Sequence, residues 1–194
     1  MVRAKKDSVV VGLDIGTTKV CAMVGIIKDD NTIDICSIGT STSYGLRKGV
    51  IINIESTVQS INKALTEAQK NSPYMITSAY VGIAGSHIRG INSRGMVAVK
   101  EGEIKTSDIE KVIDAAGAIA IPIDREVLHI LPKEYSIDGQ EGIKEPLGMS
   151  GVRLECKAHI VTGAISSVQN IIKCTQKCDI SVNDIVLEQL ASSY

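Results

Sequence analysis

Short apolar runs alternate with polar turns through the N-terminal part of the chain. Residues 8–14 (SVVVGLD), 20–27 (VCAMVGII) and 32–42 (TIDICSIGTST) each have the length and β-branched content of a strand. The polar sequence KDDN at 28–31 is typical of a turn. Because the links between these runs are short, we predict three consecutive strands in an antiparallel meander.

A helical spacing follows a glycine-rich connection at 44–53. Apolar residues recur every three or four positions over 54–68, which predicts one apolar helix face. Asn53 suits the N-cap of this helix, and Pro73 prevents the helix from continuing. Residues 78–85 (SAYVGIAG) then predict a short buried strand.

The middle of the chain has a different pattern. The clearest strand predicted there is 152–163 (VRLECKAHIVTG), in which apolar and polar residues alternate. Ser107 and Glu110 have the spacing of a capping box, which predicts a short helix that ends near Gly117. Residues 133–151 form either a long loop or a surface hairpin. The other predicted elements are a strand or bent pair at 87–100, a strand at 126–138, a helix at 166–178, a strand at 180–187 and a helical start at 188–194.

Composition narrows the class of protein. Lysine and arginine total 21 and aspartate and glutamate total 22, so the net charge is −1. This balance argues against the strongly basic surface of nucleic-acid-binding proteins, and we expect no nucleic-acid partner. No apolar stretch approaches the ~20 residues of a membrane span. These features are typical of a soluble, cytosolic α/β protein.

Cysteine and histidine are both scattered. Cys174 and Cys178 lie one helical turn apart but have no further ligand nearby, so we expect free thiols rather than a metal site. His87, His129 and His159 lie far apart in sequence. A structural or exposed role suits them better than that of a catalytic base.

The turn after the first strand holds the strongest candidate site. Gly16 lets a backbone approach a ligand closely, and successive N–H groups in a tight turn attract anions. Thr17 and Thr18 add hydroxyl groups, and Lys19 adds a positive charge. Asp14 supplies the carboxylate that would hold hydrated Mg²⁺. The spacing is not that of a P-loop, since a strand follows instead of a helix. An ordinary hairpin with Gly-Thr-Thr as turn chemistry is the alternative.

Longer stretches of the chain carry a family resemblance. The sequence VGLDIGTTKVCAMVG resembles the first phosphate loop of the actin superfamily, which includes actins, heat-shock chaperones and sugar kinases. Four further stretches resemble the FtsA family of bacterial cell-division proteins. They are SYGLRKGVIINIESTVQSINKALTEAQ, SAYVGIAGSHIRGINSRGMVAV, VLHILPKEYSIDGQEGIKEPLGMSGVRLECKAHIVTG and LEQLASSY.

The resemblance implies a fold with two parts. Residues 1–85 and 162–194 would form an α/β actin-like (ribonuclease-H-like) ATPase lobe. Residues 86–161 would form the inserted α+β subdomain characteristic of this family. The chain ends before a second Asp-x-Gly-Gly-Gly phosphate loop, so we expect half of a nucleotide cleft.

The resemblance also implies the site and its ligands. Gly16, Thr17, Thr18 and Lys19 would bind the nucleotide phosphates, and Asp14 would hold Mg²⁺ through water. The cofactors implied are ATP and Mg²⁺. The activity would be at most that of a weak ATPase, and we expect this piece alone to be inactive.

The family's function supplies the expected partners. Its members anchor the FtsZ ring to the inner membrane and recruit later divisome proteins such as FtsN, through filament-forming self-association. This implies a cytoplasmic protein, peripheral on the inner face of the cell membrane at the division site. Met96 and Arg153 would lie on the self-association surface, whereas FtsZ and the membrane would contact parts beyond this chain. The alternatives are a small-molecule kinase of the same superfamily and an actin-like pilus-assembly adaptor.

Overall fold

The chain divides into two compact units. A computed structural model describes residues 9–193, so the first residue of the predicted strand 8–14 and the last of the helical start 188–194 lie outside the described residues. One unit comprises the described residues up to His87 and from Ile165 onward, and the other comprises Ile88–Ala164.

The elements follow the predicted order with two additional short hairpin strands near residue 50 and one near residue 140. In chain order they are β1 (Val9–Ile15), β2 (Lys19–Ile27), β3 (Ile33–Thr42), β4 (Leu46–Arg47), β5 (Val50–Ile51), α1 (Ile54–Asn71), β6 (Ser78–Ile83), β7 (Arg89–Ala98), α2 (Thr106–Gly117), β8 (Arg125–Ile137), β9 (Gln140–Ile143), β10 (Arg153–Ala164), α3 (Ile165–Gln176), β11 (Ser181–Leu187) and α4 (Glu188–Ala191).

The first unit is built on a five-stranded sheet in the order β11-β6-β1-β2-β3. β1, β2 and β3 are antiparallel neighbours, so the predicted meander is confirmed. β6 and β11 run parallel to β1. The carboxyl ends of these three strands therefore meet at one edge of the sheet.

Helix α1 covers β2 and β3 on one face of this sheet and also contacts α3. The Oδ1 atom of Asn53 accepts a hydrogen bond of 2.9 Å from the Ser56 N–H, which confirms the predicted N-cap. The helix ends at Asn71, before Pro73. Gly39 of β3 lets the helix backbone approach closely, because an added Cβ would lie 2.1 Å from the carbonyl oxygen of Ala64.

The other face of this sheet carries a row of apolar side chains. Gly12 pairs with Met23 and with Tyr80, and Met23 pairs with Ile38, so the four residues form one line across four strands. Their side chains share a face because directly paired residues point the same way. Met23, Tyr80 and Ile38 are 40%, 45% and 50% exposed, so this face stays open among the described residues.

The second unit is an antiparallel sheet in the order β7-β10-β8-β9, with α2 packed against one face. The predicted alternation is confirmed over residues 154–160 of β10, where Leu154, Cys156, Ala158 and Ile160 are buried; it ends at Val161 and Thr162, which are buried as well. Val152 lies just before the strand and is 67% exposed.

Three local predictions in this unit are settled by the structure. Residues 87–100 contain one strand, β7 (Arg89–Ala98), rather than a bent pair. Residues 133–151 contain a hairpin, because β9 pairs with the end of β8. The predicted capping box was wrong: the helix starts at Thr106, and the Asp108 carboxylate accepts from the Lys105 N–H at 3.2 Å. Lys105 has extended backbone angles and is the N-cap residue. Ser107 therefore lies inside the first turn of the helix and cannot be its cap.

Candidate functional site

The sheet of the first unit brings two carboxylates together from opposite ends of the chain. Asp14 is near the carboxyl end of β1, and Glu188 directly follows β11. β6 lies between these strands, and the Glu188 side chain lies over it, since a Cβ added at Gly82 would be 3.2 Å from the Glu188 Cγ atom. Ligands of parallel α/β sheets bind at this edge, outside the carboxyl ends of the strands.

The Asp14 carboxyl group affects the titration of Glu188. The pKa of Glu188 is raised, first by burial and then by the negative charge of Asp14 and a hydrogen bond between the two carboxyl groups. The Oδ1 atom of Asp14 is buried and has no hydrogen-bond partner among the described residues. A buried carboxylate oxygen without a partner is costly, so this atom is suited to receive a donor such as a cation-bound water.

The turn between β1 and β2 is closed tightly. The Gly16 N–H donates to the Lys19 carbonyl oxygen at 3.0 Å, next to the last β1–β2 pair, Ile15 and Val20. An added Cβ at Gly16 would lie 2.9 Å from that same carbonyl oxygen. Only glycine therefore fits this turn without displacing the backbone.

Hydrogen bonds from two other segments fix the turn, and some of its own hydrogen-bond donors stay unbonded. The Ser43 N–H donates to the Thr18 carbonyl oxygen at 3.0 Å, and the Gly49 N–H donates to the Thr17 Oγ1 atom at 3.3 Å. Because the Thr17 hydroxyl accepts there, its own proton is available to a ligand. The backbone N–H groups of Thr17 and Thr18 donate to no residue within 9–193, and both residues are exposed. Successive N–H groups in such a turn attract anions.

Lys19 and Asp14 lie close to the same thiol. Burial raises the pKa of Cys21, whose charged form is favoured by Lys19 and disfavoured by Asp14. Cys21 pairs directly with Asp14 across the two strands. The cation of Lys19 and the carboxylate of Asp14 therefore flank one position at the end of this hairpin.

A pocket of about 440 Å³ extends from the two carboxylates along the open face of the sheet. Gly12 and Met23 of the meander line one side of it, and Tyr80 and Ser192 line the other. The pocket thus joins an acidic end, next to the turn between β1 and β2, to an apolar floor, as small-molecule sites commonly do.

All five residues predicted for the site lie in one hairpin, so the structure brings them together. They are Asp14, Gly16, Thr17, Thr18 and Lys19. Glu188 was missed, because nothing in its own sequence context distinguishes it from an exposed helix residue. The signal that could have identified it is its place directly after a strand parallel to β1.

Met96 and Arg153 lie on the sheet face of the second unit that points away from α2. Arg153 pairs with Ala98 and Met96 pairs with Glu155, so the two residues are diagonal neighbours on adjacent strands. Met96 is 56% exposed, and the Arg153 Nε atom lies 3.2 Å from the Glu155 Oε1 atom. A shared, exposed face is compatible with the self-association surface predicted for them.

Residues 9–193 contain neither a cluster of metal ligands nor a membrane-spanning helix. No group of three or more His, Cys, Asp or Glu side chains there is arranged to hold a metal ion. No helix in this range is long and apolar enough to cross a membrane. All five cysteines are free.

Comparisons with known proteins find similarity to one kind of protein along the whole chain. Residues 85–162 match the family model described as the SHS2 domain inserted in FtsA. The whole chain is 55% identical to a cell division protein FtsA from Pseudomonas aeruginosa and covers 46% of that protein. It is 38% identical over its whole length to the Escherichia coli K12 protein of that name, again covering 46%. Over 96% of the chain, it is 47% identical to the corresponding protein of Borreliella burgdorferi. The chain therefore spans about half the length of the curated relatives it matches.

Among solved structures, the chain is similar to one titled PilM-PilN type IV pilus biogenesis complex. The TM-score is 0.64 at 13% sequence identity, with 95% of this chain and 49% of that chain covered. A likeness at this identity shows the fold alone. The predicted fold class, an actin-like α/β lobe with an inserted α+β domain, is confirmed, and so is the resemblance to the N-terminal part of FtsA.

Proposed function

We propose, for a chain that resembles FtsA cell division proteins along its whole length, that the first unit forms one side of a Mg-ATP site. The observation that carries this proposal is the meeting of Asp14, the Gly16–Lys19 turn and Glu188 at the carboxyl ends of β1 and β11. Unbonded backbone donors, a cation and a buried carboxylate oxygen without a partner lie there together. These are the groups that a phosphate tail and its hydrated cation require.

Each residue of the turn has a separate task in this proposal. The N–H groups and hydroxyls of Thr17 and Thr18 donate to phosphate oxygens, and Lys19 neutralises their charge. Asp14 holds the waters of Mg²⁺, and Mg²⁺ supplies positive charge that stabilises the phosphate tail. Glu188 lines the pocket beside Asp14, so its carboxyl group is placed to hydrogen-bond a water there.

The function proposed for the whole protein is that of a cell-division scaffold. It anchors the FtsZ ring to the inner membrane and recruits later division proteins, including FtsN, by self-associating into filaments. The self-association surface includes Met96 and Arg153, and the membrane and FtsZ contacts lie beyond this chain. The protein acts in the cytoplasm on the inner face of the membrane, with ATP hydrolysis weak at most.

In this proposal the two domains have different functions. Residues 1–85 with 162–194 bind nucleotide, and residues 86–161 make contacts between proteins. The family match at 85–162 and the compact unit Ile88–Ala164 support these bounds to within a few residues.

Calorimetric titration with Mg-ATP tests the nucleotide site. We expect binding by a version extended to the length of the curated relatives, with weak or no binding by this chain alone. Asp14→Ala should abolish binding, whereas Asp29→Ala, which removes an exposed acid from the turn before β3, should not change it. Equal binding by the Asp14→Ala and Asp29→Ala proteins would refute the assignment of the turn.

A second assay separates the scaffold from a kinase. The extended protein should carry FtsZ to vesicles of inner-membrane lipid in a flotation gradient. Transfer of phosphate from ATP to a small hydroxylated substrate, without FtsZ recruitment, would favour the kinase instead. The pilus adaptor has no support beyond a fold likeness.

A further inference from the structure

The short β4–β5 hairpin contacts the turn between β1 and β2. β4 and β5 pair through Arg47 and Val50, so the loop between them consists of Lys48 and Gly49, which we call the hairpin tip. Both tip residues have positive φ, +52° and +75°, as in the type I′ turns that are typical of such hairpins. The Gly49 N–H donates to the Thr17 Oγ1 atom at 3.3 Å. The hairpin tip is therefore a second segment of the chain that acts on this turn.

The segment that follows β6 supports the hairpin tip. A Cβ added at Gly49 would lie 2.3 Å from the Ala84 carbonyl oxygen. A Cβ added at Gly85, which also has a positive φ, would lie 2.9 Å from the Lys48 carbonyl oxygen. Both contacts are with backbone atoms, so a side chain at either glycine would displace the tip. The end of β6 therefore sets how closely the tip approaches Thr17.

The base of the hairpin is held as well. The Gly45 carbonyl oxygen accepts hydrogen bonds from the Ile52 N–H at 2.8 Å and from the Asn53 N–H at 3.1 Å, and Asn53 is the N-cap of α1. Ile51 of β5 is buried, and β5 contacts α3. Because the hairpin is held at its base and at its tip, the bond between tip and turn orients the Thr17 side chain.

We propose that the hairpin tip positions the Thr17 hydroxyl for a phosphate oxygen, an inference that rests on the nucleotide site proposed above. Thr17 is exposed, and without this bond its side chain would exchange among its staggered rotamers. The Gly49 N–H occupies a lone pair of the hydroxyl oxygen, so the hydroxyl proton remains for the ligand. Gly49 and Gly85 are positioning residues, since neither offers a side chain to the nucleotide.

Amide NMR of the nucleotide-free protein, extended to the length of its relatives, tests the contact itself. Thr17→Val removes the acceptor and should shift the Gly49 amide proton signal upfield, whereas Thr17→Ser keeps the hydroxyl and should leave that signal in place. Gly85→Ala should shift the same signal by displacing the tip. Gly102→Ala is the matched control, because Gly102 has the same φ of +75° but an added Cβ there would meet nothing within 4 Å. A Gly49 signal that Thr17→Val leaves unmoved would overturn the proposal.

Calorimetric titration of the same proteins with Mg-ATP measures the effect on binding. Thr17→Val should weaken binding about thirtyfold, because a hydrogen bond to a charged phosphate is lost. Thr17→Ser should keep most of the affinity. Gly85→Ala should weaken binding about fivefold, because the Thr17 side chain is no longer held in one rotamer. In the Thr17→Val background, Gly85→Ala should have no further effect, since it acts only through the threonine hydroxyl.

The possible results separate this inference from the nucleotide site on which it rests. Failure of the unsubstituted protein to bind Mg-ATP, or equal binding by the Asp14→Ala protein, would overturn both. Binding that Asp14→Ala abolishes and Thr17→Val leaves unchanged would overturn the positioning role alone. The same holds if Gly85→Ala weakens binding equally with and without the Thr17 hydroxyl, because the substitution would then act through the fold as a whole.

Discussion

Alanine at Gly39 should unfold the first unit at a much lower urea concentration than alanine elsewhere in the same sheet. The added Cβ would lie 2.1 Å from the Ala64 carbonyl oxygen and 2.3 Å from the Ala68 nitrogen. Both contacts are with helix backbone, so no side chain can rotate away, and α1 must move as a body. Overpacking of this kind costs about 3 kcal/mol.

The same movement breaks a buried hydrogen bond. The Ser37 hydroxyl donates to the Ala68 carbonyl oxygen at 2.6 Å, and Ser37 is only 5% exposed. Loss of that bond adds about 1 kcal/mol. We therefore expect Gly39→Ala to lower the free energy of unfolding by about 4 kcal/mol in total.

Urea denaturation followed by circular dichroism measures this change, with Gly12→Ala as the matched control. Gly12 lies in the same sheet, and an added Cβ there would meet nothing within 4 Å. The free energy of unfolding of the Gly12→Ala protein should stay within about 0.5 kcal/mol of that of the unsubstituted protein. If the two variants unfold at the same midpoint with the same slope, the close approach of α1 to β3 is not what stabilises this unit.

Three other predictions concern single sites. Gly95→Ala should destabilise the second unit by about 3 kcal/mol in the same urea assay, because the added Cβ would lie 2.3 Å from the Val112 carbonyl oxygen; an unchanged midpoint would contradict it. Burial raises the pKa of Cys178 to about 11, so its alkylation by iodoacetamide should be slow near neutral pH and accelerate only in strong base; rapid labelling at neutral pH would contradict the raised pKa. The pKa of Glu134 is lowered, mainly by its hydrogen bond to Lys157. This bond stabilises the fold at pH values above the ordinary glutamate pKa, and the stabilisation is lost as the pH falls through the lowered pKa. Carboxyl NMR titration should place the Glu134 midpoint below 4.5 and Lys157→Gln should raise it, whereas no response to that substitution would refute the pairing.

Local patterns in the sequence were enough to predict the strands and helices that bury one face. The alternation in 152–163 identified the core side of β10, and the spacing over 54–68 identified the buried face of α1. The sequence of the first hairpin also predicted that its site residues would lie together, because they are neighbours along the chain. In each of these cases the relevant contacts are local.

Features that depend on distant contacts could not be predicted in this way. Glu188 lies beside Asp14 only because β11 is parallel to β1, with β6 between them. The hydrogen bond from Gly49 to Thr17 depends on a hairpin of two-residue strands, too short to show any alternation. The pairing of Arg94 with Lys157 likewise depends on the register of two strands far apart in sequence.

The most direct test of the account is to locate the nucleotide's cation on the protein. Mn²⁺ replaces Mg²⁺ in complex with ATP, and paramagnetic broadening of backbone amide signals is recorded for the protein extended to the length of its relatives. We predict that the signals of Asp14 and of Gly16–Lys19 broaden first, together with that of Glu188, while Asp29, beyond the opposite end of β2, is spared. Broadening that is absent from this hairpin, or that Asp14→Ala leaves unchanged, would contradict the assignment of the turn as a nucleotide-phosphate site.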